Sequence, residues 1–247
     1  MNALISYKPF YGRTKRADDF RSLFRRWHNL LSWSALRLSK TDSPDHPFWY
    51  GERTNVGWIA HAAYKEGWLP IHEPSITRKK RVRSRGKVRT KKIAGRSDLW
   101  IFKGQGKNQI FFDLEAKEAD LSLRPFLASE KEFSFPRDIR TKLKAAVRDV
   151  SNKDKEIKGD VGIGIVFIRL YLRQNPTNAT KKVQIAALKR FKYWITNGPS
   201  LQQVDADFIA LHFAPYPFVK KVADTYQDDY IDLGLAIIGK IKKLWQS

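Results

Sequence analysis

The chain has 247 residues, 42% of them hydrophobic, and its 47 Lys and Arg outnumber its 25 Asp and Glu to give a formal net charge of +22 at pH 7. That length and apolar content can bury a sizeable core, and so strong a positive charge predicts a polyanionic partner. Nucleic acid comes first because its phosphates favour Lys and Arg through counterion release. Cysteine is absent from the sequence, which excludes disulfides, thiolate zinc sites and thiol nucleophiles.

The N-terminal sequence lacks the long apolar region of a signal peptide, and no stretch approaches the roughly 20 apolar residues that a membrane span needs. The best candidate, VGIGIVFIRLYL at 161–172, is short, is interrupted by Arg169 and is typical of a buried strand. We therefore expect an intracellular, cytoplasmic protein that does not insert into a membrane.

Two helices are predicted near the N-terminus. Apolar residues recur at helical spacing from Asp18 to about Leu38, and the turn-forming residues 41–47 end this amphipathic segment. A second helix is predicted over about 54–66, with Gly67 as its stop.

Strand patterns follow the second helix. A short extended piece is predicted near 69–77, and after a very basic stretch come two apolar segments, DLWIF and QIFFDLEAK, separated by KGQGKN. A glycine-containing connector between two β-rich runs is a hairpin signal. The sequence therefore predicts that residues 98–102 and 109–117 pair as antiparallel strands.

Helix and strand signals alternate in the rest of the chain. They predict helices at 137–150 and 181–195, strands at 161–172 and 206–214, and an amphipathic C-terminal helix through IDLGLAIIGKIKKLW at 231–245. This order predicts an α/β fold with a mixed central sheet flanked by helices. We assign residues 1–47 to an N-terminal basic helical extension, and residues 48–247 to the main domain with C-terminal helical additions.

Charged residues alternate with apolar ones in the second strand of the predicted hairpin. Strand geometry places Asp113, Glu115 and Lys117 on one face. Antiparallel pairing sets Asp98 opposite residues 114 and 115, which brings its carboxylate towards that of Glu115. Two neighbouring carboxylates repel unless a cation lies between them, and oxygen ligands of this kind suit Mg²⁺ or Mn²⁺. We expect Asp113 to be exposed rather than an auxiliary ligand.

These residues fall in two motifs, GRSD at 95–98 and DLEAK at 113–117. Together the motifs resemble the signature of the PD-(D/E)XK nuclease superfamily, which includes restriction endonucleases, resolvases and many repair and phage-related nucleases. The resemblance implies that Asp98 and Glu115 bind the divalent metal ion and that Lys117 assists hydrolysis. It also implies a restriction-endonuclease-like core of helix, three strands, helix and strand. Ser97 stands where the motif that names the family has proline.

Some members of this superfamily carry a further acid on the first helix of the core. Glu52, at the start of the second predicted helix, shares a face with Val56 and Ile59 and is the candidate for this further catalytic acid and metal ligand. Glu66 lies close to the same face and is the alternative. Glu52 is equally well explained as a first-turn acid that the helix dipole favours.

The basic stretch RKKRVRSRGKVRTKK, residues 78–92, contains ten Lys or Arg and no acid. Gly86 lies near its middle, with Val82 roughly opposite Val88, so the stretch can fold as a β-ribbon that follows or enters a groove of nucleic acid. The alternative is a basic loop or a targeting-like patch. The predicted nucleic-acid contacts are Arg78, Lys79, Lys80, Arg81, Arg83, Arg85, Lys87, Arg89, Lys91 and Lys92.

The sequence as a whole predicts a Mg²⁺-dependent DNA endonuclease, consistent with roles in mobile-element processing, restriction or defence. Three alternatives remain: a catalytically inactive nucleic-acid-binding module of the same fold, a nuclease subunit that requires a protein partner, and a structural or ribosome-associated basic protein. A homodimer would suit a double-strand cut. The five histidines have no paired spacing suited to a zinc site.

Overall fold

The fold is that of a computed structural model, which describes residues 7–41, 47, 51–84, 87–127, 135–153, 160–173, 180–197, 200–220 and 230–244. The strands are β1 (Phe10–Gly12), β2 (Leu69–His72), β3 (Ser75–Ser84), β4 (Lys87–Arg96), β5 (Leu99–Lys103), β6 (Ile110–Ser122), β7 (Val161–Arg173), β8 (Phe208–Lys220) and β9 (Tyr230–Lys243). The helices are α1 (Arg21–Leu38), α2 (Glu52–Lys65), α3 (Arg137–Ser151), α4 (Lys181–Asn197) and α5 (Ser200–Gln203).

Seven strands form one sheet in the order β1-β8-β9-β7-β6-β5-β2, and β3 pairs with β4 as a separate two-stranded ribbon. In the sheet β6 and β7 are parallel, whereas the other neighbours are antiparallel. The predicted α/β fold with a mixed central sheet flanked by helices is therefore confirmed. From α2 to β7 the chain runs helix, three strands of the main sheet, helix and strand, with the ribbon inserted between the first two strands. This order is consistent with a restriction-endonuclease-like core.

The two faces of β6 contribute to different hydrophobic clusters. Leu114 is buried in a cluster with residues of α1 and α2, and Leu121 is buried in a second cluster with residues of α3 and α4. Because successive side chains of a strand point to opposite faces, positions 113, 115 and 117 lie on the same side of the sheet as Leu121. That side is the one covered by α3.

The helices predicted before residue 200 are confirmed. A 3-10 helix at Lys15–Phe20 precedes α1, so the first helical segment begins slightly before the predicted Asp18. The buried residues of α1 recur every three or four positions, as an amphipathic helix requires; they are Leu23, Phe24, Trp27, Leu31, Ser34 and Ala35. None of the helices in the described ranges is long and apolar enough to cross a membrane.

The predicted C-terminal helix is wrong, because residues 230–243 form β9 between β8 and β7. Every residue from Ile231 to Gly239 is buried, so this strand has apolar neighbours on both of its faces. A strand buried on both sides loses the alternation of polar and apolar residues, and its sequence then resembles a buried helix. Gly239 packs so closely against Phe208 that an added Cβ would lie 2.1 Å from the phenyl ring.

The N-terminal segment shares the core of the main sheet. β1 pairs with β8 at the sheet edge, and Phe24 and Trp27 of α1 belong to the same buried cluster as Ile59 of α2 and Leu114 of β6. We assigned residues 1–47 to an extension, and its described part is packed against the sheet.

Candidate active site

The β5–β6 hairpin places Asp98 beside Glu115, as the sequence predicted. Leu99 pairs with Leu114, so Asp98, one residue earlier, faces residue 115. The Oδ2 atom of Asp98 accepts a hydrogen bond of 2.6 Å from the backbone N–H of Ala116. This bond fixes the Asp98 side chain against β6 while leaving it partly exposed.

Glu115 is buried and contacts a lysine that the sequence pattern did not single out. The ammonium of Lys153 lies 2.7 Å from Glu115 Oε1 and 2.5 Å from Asp113 Oδ1, and it donates a hydrogen bond of 2.6 Å to Ser97 Oγ. A lysine ammonium has three protons to donate, and these three contacts account for them. One buried ammonium is thus shared by two buried carboxylates.

The expectation that Asp113 is exposed is wrong, because its side chain is completely buried. Besides Lys153, it accepts a hydrogen bond of 2.7 Å from Ser97 Oγ. Ser97, which replaces the proline of the family motif, therefore binds Asp113. A charged residue is tolerated inside the fold when it is paired and hydrogen-bonded. Lys153 and Ser97 meet this requirement for Oδ1 of Asp113, whereas its buried Oδ2 has no hydrogen-bond partner among the described residues.

Two glycines in β7 bring α3 close to the acidic strand. Gly162 and Gly164 pair with Asp113 and Glu115 in the parallel register of β6 and β7. A Cβ on Gly164 would lie 2.6 Å from the backbone nitrogen of Val147 in α3. Absence of side chains here therefore allows the helix to approach the sheet, and Lys153 follows two residues after its end. This tertiary contact leaves no periodic signal in the sequence.

Lys117 lies two residues beyond Glu115 on the same side of β6. Its Nζ atom is 3.4 Å from Asp149 Oδ2 of α3. The lysine side chain is about one-third exposed, so it reaches the surface beside Glu115 while Asp149 restrains its position.

Glu52 at the start of α2 belongs to the same group of acids. Burial raises the pKa of the Glu52 carboxyl above its usual value, and the negative charges of Asp98, Glu118 and Glu115 raise it further, while Lys117 acts in the opposite direction. Glu52 is therefore within electrostatic range of all three residues of the predicted site.

Glu66, the alternative to Glu52, lies just past the other end of α2. Its Oε1 atom is 2.9 Å from Nε of Arg26 in α1. The structure thus brings Glu52, not Glu66, to Asp98.

The acids are suited chemically to a hard divalent cation, since Asp98, Glu115 and Glu52 offer carboxylate oxygens. Burial and then the neighbouring negative charges raise the pKa of Glu52. Among the described residues, however, no group of three or more His, Asp or Glu side chains is already gathered closely enough to hold a metal ion. One oxygen of Glu115 is engaged by Lys153 instead.

A polar cavity of about 260 Å³ opens beside Asp98. It lies between the start of α2, the β2–β3 connection and the β4–β5 connection, and its lining includes Glu52, Arg53, Glu73, Arg96 and Asp98. A larger cavity of about 500 Å³ lies between α3 and the end of β9 and is lined by none of the predicted site residues. The polar cavity is thus the one that two of the predicted site residues, Glu52 and Asp98, line.

The basic ribbon predicted from the sequence is confirmed in its backbone. β3 and β4 pair over ten residues each, with Val82 opposite Arg89 and Arg83 opposite Val88. Arg85 and Gly86 at the turn lie outside the described residues, as do the side chains of the other nine predicted nucleic-acid contacts.

The base of the ribbon is bonded to the Asp98 segment. The backbone N–H of Ser97 donates to the carbonyl of Pro74 at 3.1 Å, and that of Glu73 donates to the carbonyl of Asp98 at 3.3 Å. The ribbon therefore starts and ends at the predicted site.

No family model, curated protein or solved structure matches the chain. The interpretation of the site thus depends on its own geometry and on the two motifs.

Proposed function

We propose that the chain is a metal-dependent endonuclease of the PD-(D/E)XK type that hydrolyses phosphodiester bonds of DNA inside the cell. The observation that carries the proposal is the convergence of four residues from three elements. Asp98 is bonded to β6 beside Glu115, Lys117 follows on the same side of β6, and the pKa of Glu52 responds to all three.

Each residue has a distinct role in the proposed reaction. Asp98 and Glu115, with Glu52, would hold Mg²⁺ or Mn²⁺, which when bound lowers the pKa of water and offsets charge on the phosphate. Lys117 would orient the attacking water or stabilise the developing negative charge on the phosphate oxygens. Asp149 would position the Lys117 ammonium without contacting the substrate.

DNA is proposed as the substrate because of the ribbon and the overall charge. A two-stranded β-ribbon fits the major groove of duplex DNA, and β3 and β4 carry ten Lys and Arg and no acid. The ribbon base lies next to Asp98, so a duplex bound along it would pass the acids. Processing of mobile elements, restriction and defence all use such a reaction, and a double-strand cut would call for a homodimer or a partner subunit.

One observation favours a second candidate, a nucleic-acid-binding module of the same fold without catalysis. Lys153 already neutralises part of the charge of Glu115, and a site stabilised in this way has less need of a metal ion. Retention of Asp98, Glu115 and Lys117 together favours the enzyme, because binding alone requires none of these residues.

Cleavage of supercoiled plasmid tests the proposal. Purified wild type and Lys117→Ala would be compared with Mg²⁺, with Mn²⁺ and with EDTA. Lys142→Ala is a matched control, because Lys142 is similarly exposed and pairs with Asp138 at 3.0 Å on α3. We expect metal-dependent nicking or linearisation by wild type and by the control, and none by Lys117→Ala.

Binding without cleavage under every metal condition would favour the binding module. Cleavage that survives in Lys117→Ala would show that the reaction occurs at another site or in a contaminant. Cleavage that appears only after a cell extract is added would favour a subunit that requires a partner.

A further inference from the structure

Two arginines converge on one glutamate at the edge of the polar cavity. Nε of Arg53, in the first turn of α2, lies 3.0 Å from Glu73 Oε1, and Nη1 of Arg96, at the end of β4, lies 2.9 Å from Glu73 Oε2. All three residues line the cavity that contains Asp98. Each oxygen of the Glu73 carboxylate thus accepts from a different guanidinium.

Glu73 is held in place by an unusual backbone conformation. Its φ of 44° lies in the left-handed region, which a residue with a Cβ adopts rarely and at an energetic cost. Pro74 follows Glu73, and the backbone N–H of Glu73 donates a hydrogen bond to the carbonyl of Asp98. The surroundings therefore fix the backbone of Glu73 relative to that of Asp98.

The contacts between Glu73 and the arginines are exchangeable. The side chain of Arg53 is 84% exposed and that of Arg96 is 68% exposed, and ion pairs of such exposure contribute little to stability. A phosphate group offers guanidinium groups the same paired oxygens as a carboxylate, in charge-assisted and often bidentate hydrogen bonds.

We infer that Arg53 and Arg96 form a subsite for a phosphodiester group of the nucleic acid backbone, and that Glu73 occupies this subsite when nucleic acid is absent. The inference rests on the proposed function, because it takes the polar cavity as the route of the substrate to Asp98. It adds a defined binding site for one phosphate of the strand that is cut. Glu73 acts there as an internal competitor that the substrate displaces.

Binding of a short fluorescent DNA duplex in EDTA tests this subsite without cleavage. Arg53→Gln and Arg96→Gln are each expected to weaken binding about five- to tenfold and to reduce the slope of log affinity against log salt by about one, because each removes one phosphate contact. Glu73→Gln is expected to tighten binding about threefold, since a neutral amide competes less well for the guanidinium groups. The gain should vanish when Arg53→Gln and Arg96→Gln are also present.

The matched controls are Arg26→Gln and Glu66→Gln, an exposed pair with a 2.9 Å contact at the far end of α2. Both should bind as wild type does. The inference is overturned if either arginine variant of the subsite binds like wild type, if Glu73→Gln behaves like Glu66→Gln, or if wild type does not bind the duplex. If the variants bind as expected but no metal-dependent plasmid cleavage occurs, the nuclease proposal is refuted and the phosphate subsite is retained. If cleavage occurs without the expected binding pattern, the subsite is refuted and the nuclease proposal is retained.

Discussion

The ammonium of Lys153 lies 2.7 Å from the carboxylate of Glu115 in a place where neither side chain is exposed to solvent. Lys153 comes from the segment after α3, and Glu115 from the middle of β6, so this contact connects the outer helix layer to the predicted metal ligand. The same ammonium holds Asp113 at 2.5 Å. The folded protein thus contains its own cation beside Glu115, one of the two carboxylates between which the sequence predicts a metal ion.

Replacement of Lys153 by Met should destabilise the fold strongly. Removing one partner of a buried ion pair typically costs about 3–5 kcal/mol, because the other charge remains buried without compensation. Urea denaturation would measure the loss. The double variant Asp113→Asn with Lys153→Met should recover part of it. Lys142→Met, at a partly exposed lysine of α3, should have little effect. Equal stability of Lys153→Met and wild type would contradict the prediction.

Lys153→Met should also respond more strongly to Mg²⁺ than wild type. Without the ammonium, the negative charge of Asp113 and Glu115 is available to a divalent cation, and a ligand that binds only the folded state raises its stability. Thermal denaturation with and without Mg²⁺ would show a larger increase in melting temperature for the variant. An identical increase in both proteins would mean that Lys153 does not compete with metal.

Asp149→Asn should slow cleavage without weakening DNA binding. Asp149 lies 3.4 Å from the Lys117 ammonium, and loss of a residue that orients a catalytic group typically costs about 10- to 100-fold in activity. The cleavage rate and the affinity for DNA would be measured side by side. The control is Asp138→Asn, since Asp138 pairs with Lys142 on the same helix. A similar rate for both variants would refute a positioning role for Asp149.

Gly164→Ala should destabilise the protein, whereas Gly57→Ala should not. A Cβ at Gly164 would meet the backbone nitrogen of Val147 at 2.6 Å, whereas one at Gly57 has no atom within 4 Å. Overpacking of this kind costs about 1–3 kcal/mol, and Gly to Ala in a helix contributes up to about 1 kcal/mol of stability. Chemical denaturation of the two variants should therefore give shifts of opposite sign. A stable Gly164→Ala variant would mean that α3 can move away from β7.

Glu52→Gln should stabilise the metal-free protein at neutral pH. The pKa of Glu52 is raised in the folded state, chiefly by burial and then by Asp98, so folding favours the protonated carboxyl. This contribution is fully present below the pKa of the unfolded chain and is lost as the pH rises through the folded pKa. At neutral pH the ionised carboxylate therefore opposes folding, and the amide removes that cost.

Thermal denaturation over a range of pH would test the sign of this effect. The gain of Glu52→Gln over wild type should shrink as the pH falls to values where a free glutamic acid is protonated. Glu66→Gln is the control, because Glu66 pairs with Arg26 and should show no gain. A loss of stability for Glu52→Gln at neutral pH would indicate that a favourable contact of the ionised form dominates.

The hairpin and the acids were predictable because their signals are local. The alternation of charged and apolar residues in β6, and the glycines between β5 and β6, determine which residues pair, and Asp98 follows from that register. Apart from β1 and the short helix α5, which were not predicted, the predicted order of helices and strands holds up to β8 for the same reason. Periodicity failed at β9, where burial on both faces removed the polar positions that distinguish a strand from a helix.

Residues that depend on tertiary packing were not predictable. Lys153 reaches Asp113 only because Gly162 and Gly164 allow α3 to lie close to β7, and nothing near residue 153 in the sequence indicates that contact. Arg53 and Glu73 are 20 positions apart and meet through the fold as well. In the sequence alone, Lys153 lies outside any motif and Glu73 precedes a proline, so both resemble ordinary surface residues.

The two backbone hydrogen bonds at the ribbon base hold that end of the ribbon close to Asp98. Ten residues of extended strand span about 33 Å, so the far end of the ribbon is distant from its base. The hydrogen bonds of Glu73 and Ser97 lie at the base, in the chain segment that carries Asp98. A tilt that moves the far end by several ångströms therefore displaces Asp98 by only a small fraction of that distance. In the proposed complex, the ribbon would therefore adjust to a bound duplex while Asp98 stays bonded to β6 beside Glu115.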